Sequence, residues 1–313
     1  MSSIVIAGAG GFIGRHLVRA FEADGFTVRT IGRGRDADAQ WGGDLTSALE
    51  GTAALINLAG RSVSCRYTKR TADEIFRSRT ETTKDLGASL AKCSNPPAVW
   101  LNSSTGTIYR DARDRAQDEI HGELGSGFSV AVARAWEQEL YAAPTPIRKV
   151  ALRTAITLGS GGGALSPLIN LARIGFGGAQ GDGDQIVSWI HIDDIYGAIR
   201  HLIDHDIAGP VNLAAPQPVT NRELMAAVRT HFGSPLGLGD SARPRLGIPL
   251  GARMLGFGGR VIRTEPELVL KSRWVDPGVL RGTGYAFRFP DLDAALADIA
   301  AHTPRGLLPV QLG

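Results

Sequence analysis

Three glycines at GxxGxxG spacing, Gly8, Gly11 and Gly14, stand directly after the first apolar run of the chain, Ile4-Val5-Ile6. A short continuous apolar run suits a strand buried on both faces of a parallel sheet. Leu17, Val18, Ala20 and Phe21 then recur at helical period. Strand, glycine turn and helix, in that order, aim free backbone N–H groups and the positive end of a helix dipole at a diphosphate. Glycine belongs where a side chain would block the turn or hold phosphates away. Taken alone, a glycine triplet is equally read as a turn with no ligand. Its place after the first strand and ahead of an amphipathic helix selects the dinucleotide reading.

The rest of the chain repeats this alternation, as a doubly wound parallel sheet requires. Strands are expected at Thr27 to Ile31, Ala53 to Ala59, Ala98 to Asn102, Lys149 to Leu158, Ile186 to Ile190 and Val211 to Leu213. Helices are expected near Thr68 to Cys93, Val130 to Leu140 and Ile192 to Ile203, the last with Asp193 and Asp194 in its first turn, where the dipole favours acids. The glycine-rich piece Gly159 to Gly163 interrupts the pattern, and from Pro216 onward the alternation gives way to short helices such as Arg222 to Phe232 and Leu292 to Ala301. The expected organisation is a dinucleotide-binding α/β domain over 1–215, with 160–185 an excursion to the substrate side, and a small, mostly helical domain over 216–313. A chain of 313 residues with 43% hydrophobic content can bury both.

Composition narrows the function. The formal charge is only +3, and no basic stretch interleaves with aromatics, so nucleic acid is not an expected partner. Two cysteines, Cys65 and Cys93, make neither a disulfide framework nor a metal site. No apolar run reaches the roughly 18 residues of a membrane span. A cytoplasmic protein, monomeric or homodimeric, with a small-molecule substrate is expected.

The motifs AGAGGFIG at 7–14, GDL at 43–45, NLAG at 57–60, SSTGTIY at 103–109, LRTAITLG at 152–159 and WIHIDDI at 189–195 resemble those of the extended or atypical short-chain dehydrogenases/reductases, the epimerase/dehydratase-like branch. Arg66-Tyr67, SRT at 78–80, RAWE at 134–137, Gly284-Tyr285-Ala286-Phe287 and DLDAALADI at 291–299 are similar to the "epimerase family" group, which carries a small C-terminal domain of unknown function. The resemblance implies a Rossmann fold in which Gly8, Gly11, Phe12, Ile13 and Gly14 line the pyrophosphate. It also implies that Asp44 and Leu45 flank the adenine and that Leu58, Ala59 and Gly60 pass beneath the cofactor ribose. Asp44 could instead cap the helix beginning near Thr46. Leu58 to Gly60 could be no more than a tight strand end.

An NAD site usually places an acid at the end of strand two, against the ribose 2′-OH. Here the sequence is Ile31-Gly32-Arg33-Gly34-Arg35, with Asp36 only after the arginines. Guanidinium groups suit a 2′-phosphate, so NADP(H) is the expected cofactor; two solvated surface arginines are the alternative.

Most enzymes of this superfamily use a Tyr-x-x-x-Lys pair for proton transfer. Four residues after Tyr67, Tyr109, Tyr141, Tyr196 and Tyr285 stand Thr71, Arg113, Thr145, Arg200 and Phe289, so the pair is missing. Phe128 and Val132 occupy its expected positions. Thr105 and Tyr109 are then the candidate catalytic groups, with Ser103 and Ser104 beside them. Arg134 is a candidate for the lysine's charge. Arg79 and Arg153 are candidates for the cofactor or another anion, each with a salt bridge as its alternative. His191 reads as structural or substrate-lining. Two functions follow: an NADP(H)-dependent oxidoreductase or epimerase-like enzyme with an unusual proton donor, or a non-catalytic NADP(H)-dependent binding or regulatory protein.

Overall fold

The computed structural model describes residues 2–65, 67–233 and 271–309. Arg66 and much of the expected C-terminal domain lie outside the described residues. The centre is a seven-stranded sheet made of β1 (Ser3–Ala7), β2 (Thr27–Gly32), β3 (Ala39–Gln40), β4 (Ala54–Asn57), β5 (Val99–Thr105), β6 (Arg148–Thr154) and a last strand, Gly209–Leu213. That last strand pairs with β6, and the order continues β5-β4-β1-β2-β3. Every pairing in this sheet is parallel. β1 and β4 are neighbours, yet the chain leaves them toward opposite edges of the sheet. That reversal opens a crevice at their carboxyl ends, where ligands of doubly wound sheets bind.

Both faces of the sheet are covered. α1 (Phe12–Ala23) supplies Leu17 and Phe21 to a core with Ile4 and Ile6 of β1 and with Ile195, Ile199 and Leu202 of the later helix Ile192–Asp204. On the other face, Leu86 and Leu90 of α3 (Lys69–Leu90) and Leu140 of α4 (Phe128–Ala142) pack on Val5, Leu55 and Trp100. The short α2 (Thr46–Leu49) closes the β2 end of that face. Strands buried on both sides read as unbroken apolar runs, which is why they were visible in sequence.

The expected single strand Lys149 to Leu158 is two. At Ala155 the backbone N–H bonds Leu213 O, and at Ile156 it bonds Ser188 O. The chain thereby leaves the sheet, and β7 (Ile156–Leu158) pairs instead with Trp189–His191. The excursion at 160–185 contains α5 (Leu165–Arg173). The expected strand Ile186 to Ile190 is likewise divided, into β8 (Ile186–Val187) and β9 (Trp189–His191). α6 (Ile192–Asp204), β10 (Gly209–Leu213), β11 (Val219–Thr220) and α7 (Asn221–Phe232) follow, and α8 (Gly278–Gly282) and α9 (Leu292–Ala301) end the described chain.

α5, α7 and α9 share a second core, with Leu165, Ile169, Leu224, Val228, Leu296 and Ile299 buried together. Leu280 of α8 is buried in the first core, and Tyr285 and Phe287 pack against it. Asp194, fully buried in α6, fastens this return. Its Oδ1 accepts from Tyr285 Oη (2.9 Å) and Arg288 N (2.7 Å), and its Oδ2 from Phe289 N (2.9 Å). The acids of the WIHIDDI motif thus serve the C-terminal segment as well as the helix start.

Candidate dinucleotide site

The crevice at β1 and β4 is built from glycines that differ in what requires them. Gly8 has φ +83°, and a Cβ there would lie 2.8 Å from Leu58 C and 2.9 Å from Ala59 N. It lets the first turn touch the end of β4. A Cβ on Gly14 would meet Gly8 O at 2.4 Å, so Gly14 lets α1 start against the turn. Gly11 is different. Its backbone is extended (φ −73°, ψ 173°), and the nearest atom to a Cβ would be Gly8 O at 3.4 Å. Neither conformation nor packing demands a glycine at this position. No side chain caps α1 at Gly11, so its first N–H groups, at Phe12 and Ile13, face the crevice with the positive dipole end. A bare glycine in front of an uncapped helix fits a diphosphate.

Opposite the turn, Leu58, Ala59 and Gly60 continue from β4. Leu58 N donates to Ala7 O (2.8 Å) and Ala59 N to Asn57 Oδ1 (3.0 Å). Asn57 Nδ2 donates to Asn102 Oδ1 (2.7 Å), and Trp136 Nε1 donates to Thr83 Oγ1 (3.0 Å) beside them. These buried side chains hold the strand end in shape; Asn57 ends β4, and the other groups come from β5 and from helices α3 and α4, which the sequence does not flag.

At the end of β2, Arg33 and Arg35 are exposed and neither has a hydrogen-bond or ion-pair partner among the described residues. The acid that returns toward this strand end is Asp38, and it is occupied: Oδ2 accepts from Thr30 N (2.7 Å) and Thr30 Oγ1 (2.9 Å). Asp44 is exposed, and one of its oxygens accepts from Thr46 N (2.9 Å). It thereby holds the first N–H of α2, and its second oxygen has no hydrogen-bond partner among the described residues. Leu45 beside it is buried in the core.

The catalytic candidates divide. Thr105 ends β5; its Oγ1 lies 2.6 Å from Thr107 Oγ1 and accepts from Thr107 N (3.2 Å). When Thr107 donates to Thr105, the Thr105 proton is left for a ligand oxygen. Tyr109 is not available. It is buried, donates to Asn212 Oδ1 (2.9 Å) and accepts from Arg153 Nη1 (2.9 Å), and burial raises its pKa. Arg153 is corrected with it. Its Nε and Nη2 form a fork on Glu137 (2.9 and 2.8 Å), so the guanidinium is locked in a buried ion pair and does not face the crevice as a free cation. Ser104 completes this cluster through Glu137 Oε1 (2.6 Å). Arg134 is exposed on α4, while Ala133 and Trp136 are buried.

Phe128 and Val132, where the Tyr-x-x-x-Lys pair is expected from the sequence, belong to an apolar cluster with Cys65, Ile75 and Tyr67. The Tyr67 ring meets Phe128 edge-on at 5.1 Å. Arg79 of α3 lies beside Gly60, where a Cβ would be 3.2 Å from its Cζ, and over the Trp136 ring at 5.0 Å. Burial pulls its pKa down to about 10. His191 caps α6 by accepting from Asp193 N (3.2 Å); its ring lies tilted against Phe289, with centroids 4.0 Å apart, and its Nε2 is 3.4 Å from Asp298 Oδ2.

The profile of the NAD dependent epimerase/dehydratase family matches residues 4–214, the sheet and the whole crevice. The chain belongs to this family. A second profile, a domain of unknown function (DUF1731), matches residues 260–299 and so includes α8 and the Tyr285 segment that Asp194 holds. Among relatives in the epimerase family, the human protein SDR39U1 is 29% identical over 306 residues, covering 95% of this chain and 99% of its own. The Bos taurus SDR39U1 is 30% identical over 304 residues, with the same shares. The crystal structure of human SDR39U1 isoform 2 with NADPH superposes with a TM-score of 0.83 at 29% identity, covering 96% of this chain and 99% of that one. Among the described residues, no helix is long and apolar enough to cross a membrane.

Proposed function

We propose that this protein is an NADP(H)-binding, epimerase-like oxidoreductase that acts on a small molecule without the Tyr-x-x-x-Lys pair. The observation that carries the reading is Gly11, a glycine that folding does not require at the mouth of an uncapped helix. In this reading Gly8, Gly11, Phe12, Ile13 and Gly14 hold the diphosphate, Leu58, Ala59 and Gly60 lie beneath a ribose, and Asp44 and Leu45 border the adenine. Arg33 and Arg35, unpaired at the end of β2, take the 2′-phosphate. The NADPH in the SDR39U1 crystal structure supports that choice over NAD(H).

A reduced nicotinamide supplies a hydride when bound. The chain supplies a hydrogen bond from Thr105, supported by Thr107, to a substrate oxygen. An aliphatic hydroxyl is too weak an acid to release its proton at neutral pH, so Thr105 polarises that oxygen and solvent supplies the proton. The apolar wall of Phe128 and Val132 keeps bulk water from the other side. Turnover is accordingly slow in this reading, since general acid catalysis is typically worth ~10²–10⁴-fold. The same wall favours a second reading, in which the protein binds NADP(H) and a ligand without chemistry.

NADPH oxidation with a panel of aldehydes, ketones and 2-oxo acids tests the proposal. Slow turnover that falls in Thr105→Val and rises in Phe128→Tyr/Val132→Lys is expected. NADPH binding with no turnover in either protein supports the binding-protein reading. Fast native turnover, on the order of 1–10³ s⁻¹, that Thr105→Val leaves intact would place the reacting centre elsewhere.

A further inference from the structure

Arg79 is a half-buried cation with no carboxylate partner among the described residues. One N–H donates to Ile75 O of its own helix (3.0 Å), and the guanidinium lies over Trp136. No carboxylate among the described residues lies within ion-pair distance of it. Arg61 and Arg153 nearby are treated differently: the first pairs with Glu74 and the second with Glu137. A guanidinium held away from water costs free energy unless an anion faces it. Keeping one without a partner makes sense when the anion arrives with a ligand.

The position says which ligand. Gly60 is bare where a side chain would collide with the guanidinium, so Arg79 reaches the crevice at the end of β4. It stands on the α3 side of the sheet, whereas the turn and helix dipole that neutralise a diphosphate stand on the α1 side. Trp136, beneath it, is one turn along α4 from Val132, so the cation comes from α3 to the neighbourhood where a lysine of α4 is missing. Beside it runs the wall of Cys65, Ile75, Val132 and Phe128. A planar guanidinium forks onto a carboxylate. An apolar wall favours a ligand whose remainder is apolar, and suits a strongly hydrated phosphate poorly.

We infer that the substrate of this site is an apolar carboxylate, and that Arg79 holds its carboxyl group across Gly60. The inference rests on the cofactor reading above only for the position of the nicotinamide; the anion site itself is made by α3, α4 and the end of β4. Arg79 here positions a ligand and transfers no proton.

The test compares 3-phenylpropanoate with its neutral analogue 3-phenylpropanamide by calorimetric titration of the protein loaded with NADP⁺. The acid should bind at least ~10-fold more tightly than the amide, as a charge-assisted pair permits. Arg79→Met should erase that difference and leave NADP⁺ affinity within ~3-fold, while Arg79→Lys should keep part of it. The melting temperature of ligand-free Arg79→Met should be unchanged or higher, because an unmatched charge is removed. Equal affinity of the native protein for acid and amide overturns the inference. So does a loss of NADP⁺ binding in Arg79→Met, which would assign the guanidinium to the cofactor. A lower melting temperature with acid binding retained overturns it too, by making Arg79 a structural residue. Failure of the native protein to bind NADP⁺ counts against the cofactor reading alone, and the acid–amide comparison on the unloaded protein still decides this one.

Discussion

Replacing Gly11 by valine separates a glycine kept for a ligand from glycines kept for the fold. At φ −73° and ψ 173° any residue is comfortable, and a Cβ would find only Gly8 O at 3.4 Å. Two opposing stability terms nearly cancel. Removing a glycine restricts the unfolded chain, which stabilises by about 0.4–1 kcal/mol. Losing glycine at an N-cap gives up a similar amount. The variant should therefore unfold within about 1 kcal/mol of the native protein. Gly8 and Gly14 are the controls. Alanine at Gly8 requires a left-handed conformation, costing roughly 1–2 kcal/mol, and collides with Leu58 and Ala59. Alanine at Gly14 would stand 2.4 Å from Gly8 O, an overpacking that costs typically ~1–3 kcal/mol or more. Denaturant titration of the three variants should then show Gly8→Ala and Gly14→Ala destabilised and Gly11→Val near native. Binding should invert the order for Gly11: its side chain would fill the space of the diphosphate, and NADPH affinity should fall by at least ~100-fold, about 2.7 kcal/mol. Native affinity in Gly11→Val would refute the placement of the phosphates. So would a Gly11→Val protein that fails to fold, since the glycine would then be explained without a ligand.

Two further outcomes follow from the C-terminal segment. Asp194→Ala removes a carboxylate that accepts three hydrogen bonds from the 285–289 segment; each charged bond is worth about 1.5–3 kcal/mol, partly recovered by water, so a loss of several kcal/mol is expected, with faster proteolysis after α8, and an unchanged unfolding midpoint would contradict the latch. His191 is neutralised by burial, its folded pKa lying below the usual value near 6.5. The unfolded chain therefore takes up this proton first, and the stability present above about pH 6.5 is lost as pH falls toward the folded pKa. His191→Asn keeps an acceptor for the α6 cap and should flatten the slope of stability between about pH 7 and 5, leaving the part due to His201, whose pKa burial also lowers; an undiminished slope would show that other groups set it.

The sheet and the cofactor turn were legible because parallel strands buried on both faces carry their signal locally. Ile4 to Ile6, the glycines after them and Leu17 to Phe21 need no distant residue to be understood. The break at Ala155 was not legible, since both halves of the run from Lys149 to Leu158 are equally apolar and the division depends on Leu213 and Ser188. Tyr109 and Arg153 misled for the same reason. Each sits in a motif near the crevice, but Asn212 and Glu137, far away in sequence, decide what they bond. The Thr105–Thr107 pair could have been read from its i, i+2 spacing at a strand end. The solitude of Arg79 could not, because it is a statement about every acid the fold leaves elsewhere.

Calorimetric titration of the native protein with NADPH and NADH measures whether the dinucleotide site prefers the 2′-phosphate. Arg33 and Arg35 have no partner among the described residues where an NAD site would place an acid, and Asp38 is committed to Thr30. NADPH should bind at least ~10-fold more tightly, about 1.4 kcal/mol, and Arg33→Ala should shrink that difference while leaving NADH affinity nearly unchanged. Equal affinities, or a preference for NADH, would contradict the account.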